Sequence, residues 1–390
     1  MKVCMLSGSS FEKNYASYHL MRDLICHLLE DGHEVNLIQK CFSKPGCLPP
    51  ELADKAGLTV SDISFKEADK NNLIKRMQSD LSYYIKTAKS IRRSKNCDVF
   101  FLQSNNVPWL PIGLIKILTR KPVVYNVQDV FPQNAIFAEM ISEKSIISRI
   151  LLKLQKWVLK HSTAVITISE DMRETLVEAG ADPDKVYVVY NWKNSVNDEG
   201  KFIPKDQDGK FHVVYAGNIG RMQNVEVIVR AAAEIANHPE IQFDIYGNGA
   251  LKETCMMLAQ ELHATNVTFF DPVPAAEAHS LYENADLNIV PLAKNIIKTA
   301  LPSKTAVCIE CGKPVIFAIG ETSMAAKMIL ERESAKVIES DDFIGMTKLI
   351  MWFYNNRNKA AERVQQFECF QKKNVNKYVN VLQQIVNERR

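Results

Sequence analysis

Short apolar runs recur along this chain, and each is followed by a polar turn and then a stretch with helical spacing. In the first half MKVCMLS (1–7), EVNLIQ (34–39), CDVFFLQ (97–103), PVVYNVQ (122–128), AVITIS (164–169) and KVYVVYN (185–191) read as buried strands. A strand covered on both faces loses the alternation of a half-exposed one, and that is the mark of a parallel sheet. Parallel neighbours need crossovers. YASYHLMRDLICHLLEDG (15–32) has the spacing of such a helix, closed by Gly32. The pattern predicts a doubly wound α/β fold with right-handed crossovers.

The alternation pauses at WKNSVNDEGKFIPKDQDGK (192–210), which is polar and aperiodic and reads as an interdomain linker. It resumes with FHVVYAGN (211–218), a helix over 223–237, IQFDIYGNG (241–249), a helix to about 263, and NVTFFDP (266–272). A helix over 275–284, DLNIVPL (286–292), PVIFAI (314–319) and AKVIES (335–340) complete the pattern. A chain of 390 residues suits two domains. We read them as Rossmann-like halves over 1–195 and 208–357, followed by a helical tail over 358–390 with no strand after it. Two such sheets place a ligand at the carboxyl ends of their strands, in a cleft between the halves.

Charge is unevenly spread. Residues 1–195 hold 26 Lys/Arg against 21 Asp/Glu, and 70–95 holds eight basic residues against Asp80 alone. That stretch is either a solvated helix face or a contact with an anionic membrane surface. No run reaches the length of a membrane span. VPWLPIGLIKIL (107–118) is shorter and reads as a core helix, with an interfacial helix as the alternative. The odd, scattered set of nine cysteines and the short first strand fit reduced thiols in a cytoplasmic protein, possessing no secretory leader. Cys308 and Cys311 have a zinc-like spacing, but a structural zinc needs four ligands and no second pair accompanies them. No metal and no cofactor are expected, and no nucleic acid partner.

Three strand-to-helix junctions of the second half could hold an anion. In YAGNIGRMQN (215–224), Gly217, Asn218 and Gly220 allow close backbone approach and Arg221 adds a fork suited to phosphate. A plain tight turn would look the same. YGNGALKE (246–253) repeats the device with Gly247 and Gly249, and DPVP (271–274) could offer backbone groups near Val273 to a flat base. In LPSKTAVCIECGKPVI (301–316), Pro302 and Ser303 suit a helix start, whereas Lys304 there is unfavourable unless it meets an anion or faces solvent. In the first half, Gly8 follows the first strand and is a candidate donor-binding residue. Gln128 and Asp129 end the strand at 122–128, Asp129 serving as a base, a sugar-hydroxyl acceptor or a turn residue.

Taken in order, YNVQDVFPQN (125–134), AVITISEDMRETL (164–176), VVYAGNIGRMQNVEVIVRAA (213–232), FDIYGNG (243–249), NVTFFDPVPAAEAHSLYENADLNIVPL (266–292) and LPSKTAVCIECGKPVI (301–316) resemble the GT-B, family-4 type retaining glycosyltransferases. The look is of the bacterial branch that builds O-antigens and capsules, including enzymes resembling fucosamine-type transferases. The resemblance implies a nucleotide-sugar donor, UDP-linked by preference, held mainly by the second domain. It implies a glycan or lipid-linked acceptor at the first, and transfer with retention and without metal. It implies that the final helix returns to the first domain, and that the protein sits in the cytoplasm, at most peripheral on the membrane's inner face. Arg221 and Lys304 would contact the diphosphate, and with Gln128 and Asp129 would form the catalytic set. The pattern is departed from in four places. The paired Glu positions are Thr299 and Val307, with Glu310 one turn beyond as a substitute; Gln223 replaces a Lys and Gln128 a His. A non-catalytic scaffold of transferase shape and a nucleotide-sugar epimerase are the alternatives.

Overall fold

The computed structural model describes residues 1–8, 10–11, 18–42, 48–65, 73–192, 208–330, 334–357 and 370–389. The linker reading of 192–210 falls mostly outside them, as do Lys70 and residues 358–369. The chain forms two compact units. One joins Met1–Ile136, Ile141–Trp192 and Phe370–Arg390, and the other joins Phe137–Met140 and Lys193–Cys369.

The first unit alternates as the apolar pattern predicts. Its order is β1 (Lys2–Leu6), α1 (Tyr18–Glu30), β2 (Glu34–Cys41), β3 (Leu58–Ser64), α2 (Leu73–Arg93), β4 (Val99–Gln103), α3 (Trp109–Thr119), β5 (Val123–Val127), α4 (Gln133–Phe137), α5 (Ile146–His161), β6 (Ala164–Thr167), α6 (Glu170–Glu178) and β7 (Val186–Val188). The sheet is parallel in the order β3-β2-β1-β4-β5-β6-β7. Met5 lies opposite Leu37 on one side and Phe101 on the other. β4 and β5 are buried throughout, which is why they read as continuous apolar runs.

The second unit continues with β8 (Phe211–Ala216), α7 (Glu226–Glu234), β9 (Ile241–Tyr246), α8 (Lys252–Glu261), β10 (Val267–Phe270), α9 (Ala275–Asn284), β11 (Leu287–Pro291), α10 (Lys304–Glu310), β12 (Val315–Ala318), α11 (Met324–Leu330), β13 (Ala335–Ile338) and α12 (Phe343–Asn355). Its parallel order is β10-β9-β8-β11-β12-β13. Val213 pairs with Phe243 on one side and Leu287 on the other. α7 starts at Glu226, three residues later than the spacing predicts, so Gly217 to Val225 form a loop rather than a helix entrance.

The last helix, α13 (Phe370–Asn387), belongs to the first unit. Val375, Tyr378, Val379, Leu382, Ile385 and Val386 recur at helical spacing and enter the core around Met5, Leu24 and Phe101. Trp192 closes that core. Its ring meets Tyr378 edge-on at 6.1 Å, and its Nε1 donates to Asp23 at 2.8 Å. Asp23 is also the ion-pair partner of buried Arg22 at 2.7 Å.

The second core holds a buried histidine–carboxylate pair. His212 on β8 meets Asp244 Oδ2 at 2.6 Å through Nδ1 and Asp208 Oδ1 at 3.0 Å through Nε2. The Asp244 hydrogen bond pushes the His212 pKa up to about 9; burial opposes it and Asp208 adds to it. A folded pKa above the unfolded value of roughly 6.5 contributes stability that is complete below that value and lost as pH rises through about 9. In urea unfolding, the excess stability of the parent over His212→Gln should be largest below about pH 6.5 and shrink steadily toward about pH 9. A gap independent of pH would show that the ring stays neutral.

Candidate functional site

Each sheet reverses strand order once, and there the loops on either side diverge and leave a crevice. In the second unit the reversal lies between β8 and β11, and the loop after β8 flanks it on one side. Gly217 leaves β8 at φ +154, and Gly247 and Gly249 leave β9 at +155 and +157. The two loops are laced together: Gly217 N–H donates to Tyr246 O and Ile219 N–H to Asn248 O, both at 2.9 Å. A Cβ at Gly247 would strike the Gly217 carbonyl, and one at Gly249 the Ile219 carbonyl. These glycines are thus required by backbone approach as well as by dihedral angle.

Lys304 opens α10 and reaches back over this loop. Its Nζ sits 3.8 Å from the centre of the Tyr215 ring and would lie 2.6 Å from a Cβ at Gly217. The stem is partly exposed, yet the ammonium is buried and has no hydrogen-bond partner among the described residues. Burial lowers its pKa to about 7. An aromatic face offers a cation some stabilisation but satisfies none of its three donors. The adjacent Thr305 hydroxyl is also buried and unpaired among the described residues. Tyr215 donates its hydroxyl to Asn218 O at 2.6 Å, which holds the ring and the loop together.

Asn218 Nδ2 donates to Gln223 Oε1 at 2.9 Å, bracing the turn around Gly220, where a Cβ would come within 2.6 Å of that Nδ2. Arg221 is exposed in the same turn. It does not stand at a helix N-terminus as expected, because α7 begins later with Glu226 in its first turn. Ser303 is exposed and makes no capping hydrogen bond, contrary to the capping role expected of it, since its backbone is already helical. Val273 is half-buried in the loop after β10 and, like Tyr246, packs against the second unit's core; the Tyr246 ring stacks on Phe270 (4.5 Å, 13°). Lys252 Nζ donates to Phe270 O at 3.2 Å in that loop.

In the first unit the reversal lies between β1 and β4. Gly8 follows β1, and a Cβ there would stand 3.2 Å from the Tyr84 hydroxyl and 3.6 Å from Asn105 Cβ. That hydroxyl is buried without a partner among the described residues. Gln128 belongs to a ladder of amides at the strand ends. Asn191 Nδ2 donates to Gln128 Oε1 at 2.8 Å, and Asn126 Nδ2 donates to Gln103 Oε1 at 2.7 Å. Tyr378 donates to Asn126 Oδ1 at 3.1 Å. Asp129 follows, exposed. The structure therefore groups Gly217, Asn218, Gly220, Gly247, Gly249 and Lys304 in one unit, and Gly8, Gln128 and Asp129 at the strand ends of the other.

Residues 19–193 match Glycosyltransferase Family 4, and residues 196–368 match Glycosyl transferases group 1. The chain belongs to the family 4 glycosyltransferases. A relative from Pseudomonas aeruginosa, "Probable glycosyltransferase WbjE", is 23% identical over 297 residues, covering 73% of this chain and 74% of that one. Among solved structures, Anabaena HepE in complex with UDP and glucose has a TM-score of 0.62 at 14% identity, covering 98% of this chain and 100% of HepE. WaaG, a glycosyltransferase involved in lipopolysaccharide biosynthesis, has a TM-score of 0.60 at 15% identity, covering 95% and 98%. These likenesses establish the GT-B fold of two Rossmann-like α/β domains.

The departures from the family pattern have structural uses in this glycosyltransferase. Thr299 is fully buried and its hydroxyl donates to Ile296 O at 3.0 Å, closing a short turn. Val307 packs against the second unit's core. Glu310 ends α10, and its side chain lies outside the described residues. Cys308 and Cys311 are not joined by a disulfide, the Cys311 thiol donating to Cys308 O at 3.2 Å, and no group of three or more metal-ligating residues occurs among the described residues. Tyr215 escaped the sequence reading. Strand alternation was the available signal, because a residue two before Gly217 shares its side of the sheet. Gly249→Ala should destabilise the protein by roughly 1–3 kcal/mol in urea unfolding, through both dihedral strain and the Ile219 carbonyl. Parent-like stability would mean that the two loops do not approach so closely.

Proposed function

We propose that this glycosyltransferase moves a sugar from a nucleotide-diphosphate donor, UDP-linked, onto a glycan or lipid-linked acceptor in surface polysaccharide synthesis, with retention of configuration. The carrying observation is Lys304: a buried ammonium without a partner among the described residues, held over a glycine turn at a sheet's point of reversal. A diphosphate supplies the acceptor oxygens that such a group lacks. HepE, of the same fold, is described in complex with UDP, which supports the choice of base. WaaG and its lipopolysaccharide role support the polysaccharide setting. Retention, independence from metal and an amino-deoxysugar substrate are carried by the family resemblance of the motifs.

In this reading the bond between the anomeric carbon and the diphosphate oxygen breaks, and the acceptor oxygen bonds to the same face of that carbon. The acceptor proton leaves with the departing diphosphate. Negative charge grows on the leaving group, and Lys304 and Arg221 stabilise it. Gly217, Asn218, Gly220, Gly247 and Gly249 let the diphosphate approach the backbone, Ser303 borders it, and Val273 offers backbone groups to the base. Glu310 takes the ribose or sugar hydroxyls in place of the residue at Val307. Gln128 and Asp129 complete the catalytic set at the reacting acceptor, where neutral amides suit sugar hydroxyls, and Gly8 is a donor contact. The exposed lysines and arginines of α2 support a peripheral contact with an anionic inner membrane face.

A buried unpaired cation costs stability until its anion arrives. Lys304→Met should therefore raise the melting temperature of the ligand-free protein while weakening UDP-sugar binding in calorimetry by at least about tenfold. A lysine with a purely structural role would lose stability and leave affinity intact, and that result would sink the proposal. The free ammonium loses its proton above about pH 7, while the bound form keeps it. Donor affinity should fall by up to about tenfold per pH unit above that point. Lys304→Met should abolish this slope.

A further inference from the structure

α5 divides its surface three ways. Ser148, Leu151, Gln155, Val158 and Leu159 face the core. Ile146, Ile150 and Trp157 form an outward row at helical spacing, with Ile147 beside it. They are 74%, 52%, 37% and, for Ile147, 59% exposed, an outlay of large apolar area that a solvated helix avoids. Arg149, Lys153, Lys156 and Lys160 repeat at the same spacing along one flank of that row, and α5 contains no Asp or Glu. Ser145 caps the helix by accepting from Ser148 N–H at 3.1 Å, so the apolar row sits on a formed element.

The neighbouring helices extend the same chemistry. α3 packs against both α2 and α5, and Gly113 brings its backbone close to the Trp157 ring (3.8 Å from a Cβ built there). α3 has no acidic residue and leaves Ile117 79% exposed. The single acid of α2, Asp80, is turned inward onto Lys40 at 2.8 Å and accepts from Asn106 at 2.8 Å. Among the described residues, these three helices thus present exposed cations and apolar side chains with no exposed carboxylate. No helix of the described residues is long and apolar enough to cross a membrane.

We propose that α5 is the membrane-docking element of this protein: Ile146, Ile147, Ile150 and Trp157 enter the interface of an anionic phospholipid layer, and the flanking Arg149, Lys153, Lys156 and Lys160 meet its phosphates. The basic flank selects an acidic surface, and the apolar row selects a lipid one over soluble polyanions. The assignment moves the main contact from the basic stretch of α2 to α5, with α2 and α3 as basic neighbours. It does not depend on the donor chemistry.

The test is sedimentation with vesicles of phosphatidylcholine alone and of phosphatidylcholine mixed with phosphatidylglycerol. The parent should bind the mixed vesicles at least about tenfold better. The exposed double substitution Ile146→Ser/Ile150→Ser should weaken that binding by about tenfold, and Lys153→Glu/Lys156→Glu should abolish the preference for the anionic lipid. Trp157 emission should shift to the blue on mixed vesicles, and the shift should vanish in Trp157→Phe. UDP-sugar affinity measured without vesicles should be unchanged in all three variants, which separates this inference from the reading of the donor site. Equal binding to both vesicle types, or binding unaffected by Ile146→Ser/Ile150→Ser, would overturn it. So would light scattering showing that the same double substitution breaks a dimer, since the row would then be a contact between copies of this chain.

Discussion

Every loop assigned chemistry here leaves the carboxyl end of a parallel strand. That follows from one constraint: neighbouring strands point the same way, so each connection must climb back over the sheet before the next strand begins. The return halves carry the helices and the outgoing ends carry the loops. Where strand order reverses, adjacent loops run to opposite faces and the ground between them stays open. Gly8 in the first unit, and Gly217 with Lys304 in the second, lie at or beside these openings.

Glycine then determines how close the loops come. Laced by backbone hydrogen bonds, the turns after β8 and β9 leave no room for a β-carbon at Gly247 or Gly249. Their close approach shapes the floor on which the Lys304 ammonium rests against Tyr215. The ammonium is destabilised by its surroundings in the free protein, as is common where binding requires a charge in place beforehand. The two family carboxylate positions have gone the other way. Thr299 spends its hydroxyl within its own turn, and Val307 adds to the core.

Much of the fold was legible because its strands are buried on both faces and stand out as apolar runs. β3 was not. Its sequence LTVSDIS mixes Thr, Ser and Asp through an edge strand whose residues are half-exposed, so it carries neither a continuous run nor a clean alternation. KVYVVYN promised a longer strand than Val186–Val188, because edge pairing ends where the chain turns toward Trp192. The site was legible as a set of glycine turns and a misplaced cation. What the local sequence could not show was the shielding of that cation, since Tyr215 lies on β8 and Lys304 on α10, and only the tertiary fold brings the ring beneath the ammonium. Helix entrances were the weakest inference: α7 begins after the loop, and the Ser303 backbone is already helical.

The return of α13 to the first unit has a consequence for biosynthesis. The first sheet is translated early, but one wall of its core, from Val375 to Val386, is translated after the entire second unit. The second unit can therefore finish folding while the first still exposes Phe101 and Trp192 along an open side. The half made first is the half completed last, and a ribosome that stops early would release a finished second unit tethered to a first that lacks its final wall.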